Sequence, residues 1–175
     1  MKAIFLDRDG TINAGIPKYE RVDSVDKVET LPFVIEGLHE LSKLDFELFI
    51  VTNQFGLAEG ILTVEDFNKI NDKTIELISS SGAKITDTFF CPHGKGSTCE
   101  CQKPKPGMLL EAAKKYDIDL SESWMIGDRL SDIETGINAG TKTILVQTGS
   151  ILEADGADFV AANLLEAANY ITSLN

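Results

Sequence analysis

The stretch Ala3-Ile4-Phe5-Leu6-Asp7-Arg8-Asp9-Gly10-Thr11 decides how the rest of the chain is read. Four apolar residues run into two carboxylates spaced one apart, then a glycine and a hydroxyl. An apolar run that stops at a turn signal reads as a buried strand. Gly10 lets the backbone turn sharply where that strand ends. Asp7 and Asp9 then emerge together at its C-terminal tip, where open α/β sheets bind their ligands. Two carboxylates this close repel unless they share a proton or a cation sits between them. The competing reading is an ordinary polar strand end running into a loop.

Working outward, residues 13–31 read as a loop with Gly15, Pro17 and several charges. Val34, Ile35, Leu38, Leu41 and Leu44 recur at helical spacing, with His39 on the exposed side as an ordinary surface residue. Leu48-Phe49-Ile50-Val51 is a second buried strand ending in Thr52-Asn53-Gln54. Thr63 and Asp66 form a capping pattern that starts a helix running to about residue 80. Residues 85–90 are a third strand. Pro104, Pro106 and Gly107 punctuate before a helix over 108–116. Trp124-Met125-Ile126 is a strand ending in Gly127-Asp128, and residues 131–139 are a helix closed by Gly140. A strand over 143–146, a short edge strand at 159–160 and a helix over 164–174 complete the chain. Strands alternating with helices predict an α/β fold: a doubly wound, mostly parallel sheet with helices on both faces. The chain shows no internal repeat, linker or domain boundary, so residues 1–175 are expected to form one domain.

Composition narrows the classes of function. Hydrophobic residues make up 43% and charged residues 25%, as in a soluble globular protein. A net charge of −12 disfavours nucleic acid and anionic membranes, which need clustered Lys and Arg. A small phosphorylated metabolite feels only the local field and stays open as a partner. There is no signal-peptide pattern and no apolar run of membrane-spanning length, so a cytoplasmic location is expected.

Three strand ends carry residues suited to phosphoryl transfer: Asp7 and Asp9, Thr52 and Asn53, and Asp128. A carboxylate can attack phosphorus, and a second can protonate the leaving alkoxide and then activate water. Anionic nucleophile and anionic phosphate need a cation between them, and oxygen ligands at this density suit Mg²⁺. Asp7 and Asp128 are the natural carboxylate ligands. Thr52 can hold a phosphate oxygen, and Lys103 is the candidate lysine.

A second cluster lies between Cys91 and Cys101. All three cysteines, Cys91, Cys99 and Cys101, fall there together with His93, one of only two histidines. Three thiolates and an imidazole complete a closed tetrahedral zinc set, so this zinc is structural. The alternative is a loop with chance cysteines. The loop is rich in Gly, Ser and Lys, with little to bury, so metal supplies its order. It runs straight into Gln102-Lys103-Pro104, so fixing it positions Lys103.

Asp-x-Asp-Gly-Thr after an apolar strand, Thr52-Asn53 after a second, Lys103, and Gly127-Asp128-x-x-x-Asp132 together resemble the four motifs of the haloacid dehalogenase (HAD) superfamily, in the right order over nearly the whole chain. The resemblance implies Asp7 as nucleophile, Asp9 as general acid/base, and Mg²⁺ on Asp7, Asp128 and the main-chain carbonyl of Asp9. A carboxylate at Asp9 suits a phosphatase or phosphomutase. The two stretches where such proteins insert a cap leave no room for one here, so the site is expected to be open, which disfavours a mutase.

Cys91-Pro92-His93, Cys99-x-Cys101 and Lys103-Pro-x-Pro-Gly-Met-Leu resemble the D-glycero-D-manno-heptose 1,7-bisphosphate phosphatases, with the histidinol-phosphate phosphatases close behind. The heptose group usually carries Arg at the place of Gln102, which cannot offer a charged fork to phosphate. Lys18, Arg21 and Arg129 are the candidate replacements. A polynucleotide 3′-phosphatase is disfavoured by the acidic charge, and a non-catalytic binding role by the full set of polar strand ends. A monomer is expected.

Overall fold

β1 (Ala3–Leu6) lies inside a six-stranded parallel sheet of order β3-β2-β1-β4-β5-β6. The computed structural model describes residues 1–15, 21–149, 151 and 155–174. Following β1 come α1 (Val34–Leu41), β2 (Glu47–Asn53), α2 (Phe55–Ala58), α3 (Val64–Ser79) and β3 (Ile85–Cys91). The second half holds α4 (Gly107–Tyr116), β4 (Trp124–Gly127), α5 (Leu130–Ala139), β5 (Lys142–Val146), β6 (Phe159–Ala161) and α6 (Leu164–Ser173).

β1 is buried on both faces because both are covered by helices, which is why it reads as an unbroken apolar run. Ile4 and Leu6 face a core built with Leu38 and Leu41 of α1, Ile78 of α3 and Leu164 and Ile171 of α6. Ala3 and Phe5 face the other core, with Phe49, Met125 and Met108, Leu109 and Ala112 of α4. Ile4, Phe5 and Leu6 are fully buried, and each contributes about 1.5–3 kcal/mol by leaving water.

The expected elements are present, with instructive differences at their ends. β2 and β3 run on to Asn53 and Cys91, which pair in register. The ladder continues beyond the apolar residues because its hydrogen bonds belong to the backbone. α1 stops at Leu41, yet Leu44 still packs on the core beyond it. Thr63 caps α3 reciprocally with Asp66, and Gly140 closes α5 at φ 83°. α2 is an addition, a single turn too short for its periodicity to register in the sequence. His39 is exposed, and its Nδ1 lies 3.0 Å from the Ser81 carbonyl oxygen.

Between β1 and β2 the described residues hold one 3₁₀ turn (Val25–Lys27) and α1; between β2 and β3 they hold α2 and α3. No folded insert covers the strand tips among the described residues. No helix among them is long and apolar enough to cross a membrane.

Candidate active site

The parallel ladder brings the acidic residues together. The Asp7 N–H donates to the Ile126 carbonyl of β4 at 2.9 Å, so Asp7 leaves β1 alongside the end of β4, where Asp128 follows Gly127. Gly10 turns the chain at φ 108°, a region that favours glycine. A Cβ at Gly10 or at Gly149 would collide with the Asp128 carboxylate, so both glycines let the backbone wrap it closely. Thr11 Oγ1 donates to Asp128 Oδ1 at 3.3 Å, and Thr148 Oγ1 donates to the Gly10 carbonyl at 2.6 Å.

Lys103 is buried at the centre of this group. Its Nζ donates to Asp7 Oδ1 and Asp132 Oδ1, both at 2.5 Å, and to the Val51 carbonyl at 3.2 Å. Burial opposes its charge, but Asp132 and Asp7 outweigh burial and raise its pKa. Asp132 also accepts the Arg129 N–H at 3.0 Å, tying the start of α5 to the same centre. Asn53 clamps the Lys103 backbone: its Nδ2 donates to the Lys103 carbonyl at 3.3 Å, and its Oδ1 accepts the Lys103 N–H at 3.1 Å. The Asn53 carboxamide thus acts on Lys103 as well as lining the cleft.

Asp9 sits differently. Arg8, fully buried, grips it with Nε to Oδ1 at 3.0 Å and Nη2 to Oδ2 at 2.7 Å. Gln54 Nε2 adds 3.1 Å to Asp9 Oδ2 and 2.9 Å to Thr52 Oγ1. Burial pushes the Asp9 carboxyl up, but the Arg8 guanidinium and the hydrogen bonds of Arg8, Gln54 and Asn13 hold it below its usual range. The opposite holds next door. Burial first, then Asp132 and Asp128, push Asp7 well up against the pull of Lys103. Burial and Asp132 push Asp128 up to about 6.

Asp7, Asp9, Thr52, Asn53, Gln102, Lys103 and Arg129 all line one open cleft of about 510 Å³, the size of a small-metabolite site. Lys18 lies outside the described residues. Four residues of the neighbourhood carried little signal in the sequence. Asp132 stood in a motif without a role, and Arg8 was merely the residue between two aspartates. Gln54 closed a strand end without a role and Lys95 sat in a loop, and only the fold shows that both line the cleft.

The donor set fits a divalent cation. Carboxylate oxygens of Asp7, Asp128 and Asp132 come within 4.8 Å of one another. One ammonium stands among three carboxylates, an excess of two negative charges when all are ionised, and repulsion from Asp132 adds to burial in raising the pKa values of Asp7 and Asp128.

The Cys/His cluster also comes together. Cys91 Sγ lies 3.6 Å from Cys99 Sγ and 3.1 Å from Cys101 Sγ, and His93 Nδ1 lies 3.5 Å and 3.3 Å from the sulfurs of Cys91 and Cys101. A tetrahedral zinc with bonds of about 2.3 Å to thiolate spaces its sulfurs by about 3.8 Å, so the residues fit. All three thiols are free of disulfides. Burial and its two sulfur neighbours push the Cys101 thiol up to about 12, and a cation held among the three sulfurs would favour their ionised forms. Gln102 closes the loop by donating to the Gly94 carbonyl at 3.0 Å.

A model of HAD-hydrolase-like proteins matches residues 100–167. The D-glycero-beta-D-manno-heptose-1,7-bisphosphate 7-phosphatase of Yersinia pestis is 38% identical over 94% of this chain and 92% of its own. That of Escherichia coli K12 is 38% identical over 94% and 90%. The chain belongs to the heptose-1,7-bisphosphate 7-phosphatase family of HAD hydrolases. It is a phosphatase by that membership. The crystal structure of the D,D-heptose 1,7-bisphosphate phosphatase from B. bronchiseptica, complexed with magnesium and phosphate, superposes with a TM-score of 0.90 at 33% identity, covering all of both chains.

Proposed function

We propose that this chain is a Mg²⁺-dependent phosphomonoester hydrolase that removes the 7-phosphate of D-glycero-beta-D-manno-heptose 1,7-bisphosphate through an aspartyl-phosphate on Asp7. The observation that carries the reading is the convergence of Asp7, Asp128, Asp132 and Lys103 at the foot of an open cleft. The substrate comes from the relatives that match along most of the chain.

Asp7 attacks phosphorus, forming a P–O bond to its carboxylate as the sugar oxygen leaves. Lys103 holds the ionised Asp7 carboxylate and offers an ammonium to the phosphoryl oxygens. Asp9 gives a proton to the leaving alkoxide and later takes one from the water that hydrolyses the acyl phosphate. Arg8 keeps Asp9 ionised in the resting cleft. A phosphate dianion arriving beside it raises its proton affinity by like-charge repulsion, so Asp9 takes up a proton from solvent as substrate binds and has one to give to the leaving alkoxide. Thr52 and Arg129 line the cleft as phosphate contacts. Asp7, Asp128 and the Asp9 carbonyl would hold Mg²⁺, which neutralises phosphate charge when bound. Cys91, His93, Cys99 and Cys101 would hold a structural Zn²⁺ that fixes the segment leading into Lys103. In this reading residues 1–175 work as one monomeric domain in the cytoplasm.

A phosphate-release panel tests the reading. Heptose 1,7-bisphosphate should be turned over with higher kcat/KM than histidinol phosphate, hexose monophosphates or a 3′-phosphorylated oligonucleotide. Asp7→Asn should abolish release from every member while the protein stays folded. A preference for histidinol phosphate would overturn the substrate, and an active Asp7→Asn enzyme would overturn the nucleophile.

A further inference from the structure

A bisphosphate brings a second phosphate that must sit away from Asp7, and the cleft has few cations left to meet it. Lys103 is engaged by Asp7 and Asp132. Arg129 stands at the reacting centre, its Nε 3.9 Å from Asp128 Oδ2. Gln102 carries no charge, and its amide is turned back onto Gly94. Among the described residues Arg21 and Lys95 remain. Both line the cleft, and neither is paired with a carboxylate of the centre.

Their settings differ in a useful way. Arg21 is half-buried, with Nη1 2.7 Å from Glu59 Oε2 but off the hydrogen-bonding direction. Glu59 therefore fixes the guanidinium by charge, and the partly exposed Arg21 side chain still lines the cleft. Gly56 makes room beneath it, since a Cβ there would sit 3.3 Å from Nη1. Lys95 is exposed on the Cys/His loop, with Nζ 5.7 Å from the centroid of Phe55, another cleft residue. It lies between His93 and Cys99, so whatever orders that cluster also fixes the lysine backbone.

We infer that Arg21 and Lys95 form a second anion subsite, one that holds the remote phosphate of the bisphosphate and replaces the charge missing at Gln102. The inference rests on the substrate reading above. The subsite joins two loops far apart in sequence, and half of it hangs on the metal-binding loop. Its contribution is to selectivity, because the remote phosphate contributes binding energy that a monophosphate lacks.

The test compares kcat/KM for heptose 1,7-bisphosphate with kcat/KM for heptose 7-phosphate, the same sugar without the anomeric phosphate. The ratio should fall roughly tenfold in Lys95→Met and in Arg21→Met, as for loss of a charge-assisted contact at a partly exposed site. Lys95→Arg should restore most of it. Lys95 is exposed, so its substitution does not endanger folding. If the wild type prefers the bisphosphate and both Met variants keep its ratio within about twofold, the subsite is wrong and the substrate reading stands. If the wild type shows no preference between the two sugars, the substrate reading fails and the subsite with it.

Discussion

Two aspartates two positions apart in the chain are driven in opposite directions by their neighbours. Asp9 is held ionised by the Arg8 fork, while Asp7 and Asp128 are pushed toward the neutral acid by burial and by Asp132. The consequence for Asp128 can be signed. Its carboxyl titrates near 6 in the metal-free fold against a usual 3.8. Between those values the fold binds a proton that the unfolded chain does not. The ionised group therefore burdens the fold above about pH 6, and the burden lifts as pH falls toward 3.8. In the proposed site Mg²⁺ would need the same carboxylate ionised, so proton and metal would compete. Affinity for Mg²⁺ should drop about tenfold per unit below pH 6, and the rise in melting temperature on adding Mg²⁺ should shrink with it. Calorimetric titration at about pH 7.5 and about pH 5 checks this; equal affinities would remove Asp128 from the ligand set. At this scale the sequence pointed to Asp7, Asp9 and Asp128 through their places at strand ends, and the fold brings Asp7 and Asp128 together. It could not show that Asp132 anchors Lys103 or that Arg8 is buried against Asp9, because both facts depend on which strands become neighbours.

At the scale of elements, the loop between β3 and α4 is a separate problem from the sheet that carries it. The sheet is held by two apolar cores. The loop contributes only partly buried Cys99 and Cys101 to the second of them. Lys105 ties it further, donating to the carbonyls of Thr98 and Cys99 at 3.0 Å and 2.7 Å. Purified without chelator, the protein should carry about one zinc per chain. Cys99→Ser should lose that zinc and most of the catalytic efficiency, while its far-UV circular dichroism stays that of the parent. A zinc-free variant with full activity would break the link between this loop and Lys103. The loop was legible because four ligand-type residues crowd one short segment. The one-turn helix after β2 was not, because Phe55-Gly56-Leu57-Ala58 is too brief for a period of 3.6 to show itself.

For the whole molecule, a single parallel sheet with helices on both faces argues for one cooperative unit. Trp124, the chain's single tryptophan, is buried in β4 beside Tyr170 of α6. Its fluorescence therefore reports the packing of one face, while far-UV circular dichroism reports all the helices. Denaturant curves from the two probes should coincide, and two separated midpoints would mean that parts of the chain unfold independently. The fold class was legible from the alternation of strands and helices. The strand order was not, since nothing local tells β1 that its two neighbours will be β2 and β4.

That pairing has a consequence during synthesis. Ile4 pairs with Leu48 on one side and with Trp124 on the other. On a ribosome β1 emerges before both of its partners and waits for the second of them until α1 through α4 have been translated. Asp7 and the lysine that holds it are 96 residues apart. A nascent chain released before β4 would carry the whole first motif with one edge of its strand unpaired, exposing backbone and apolar side chains that the finished sheet encloses.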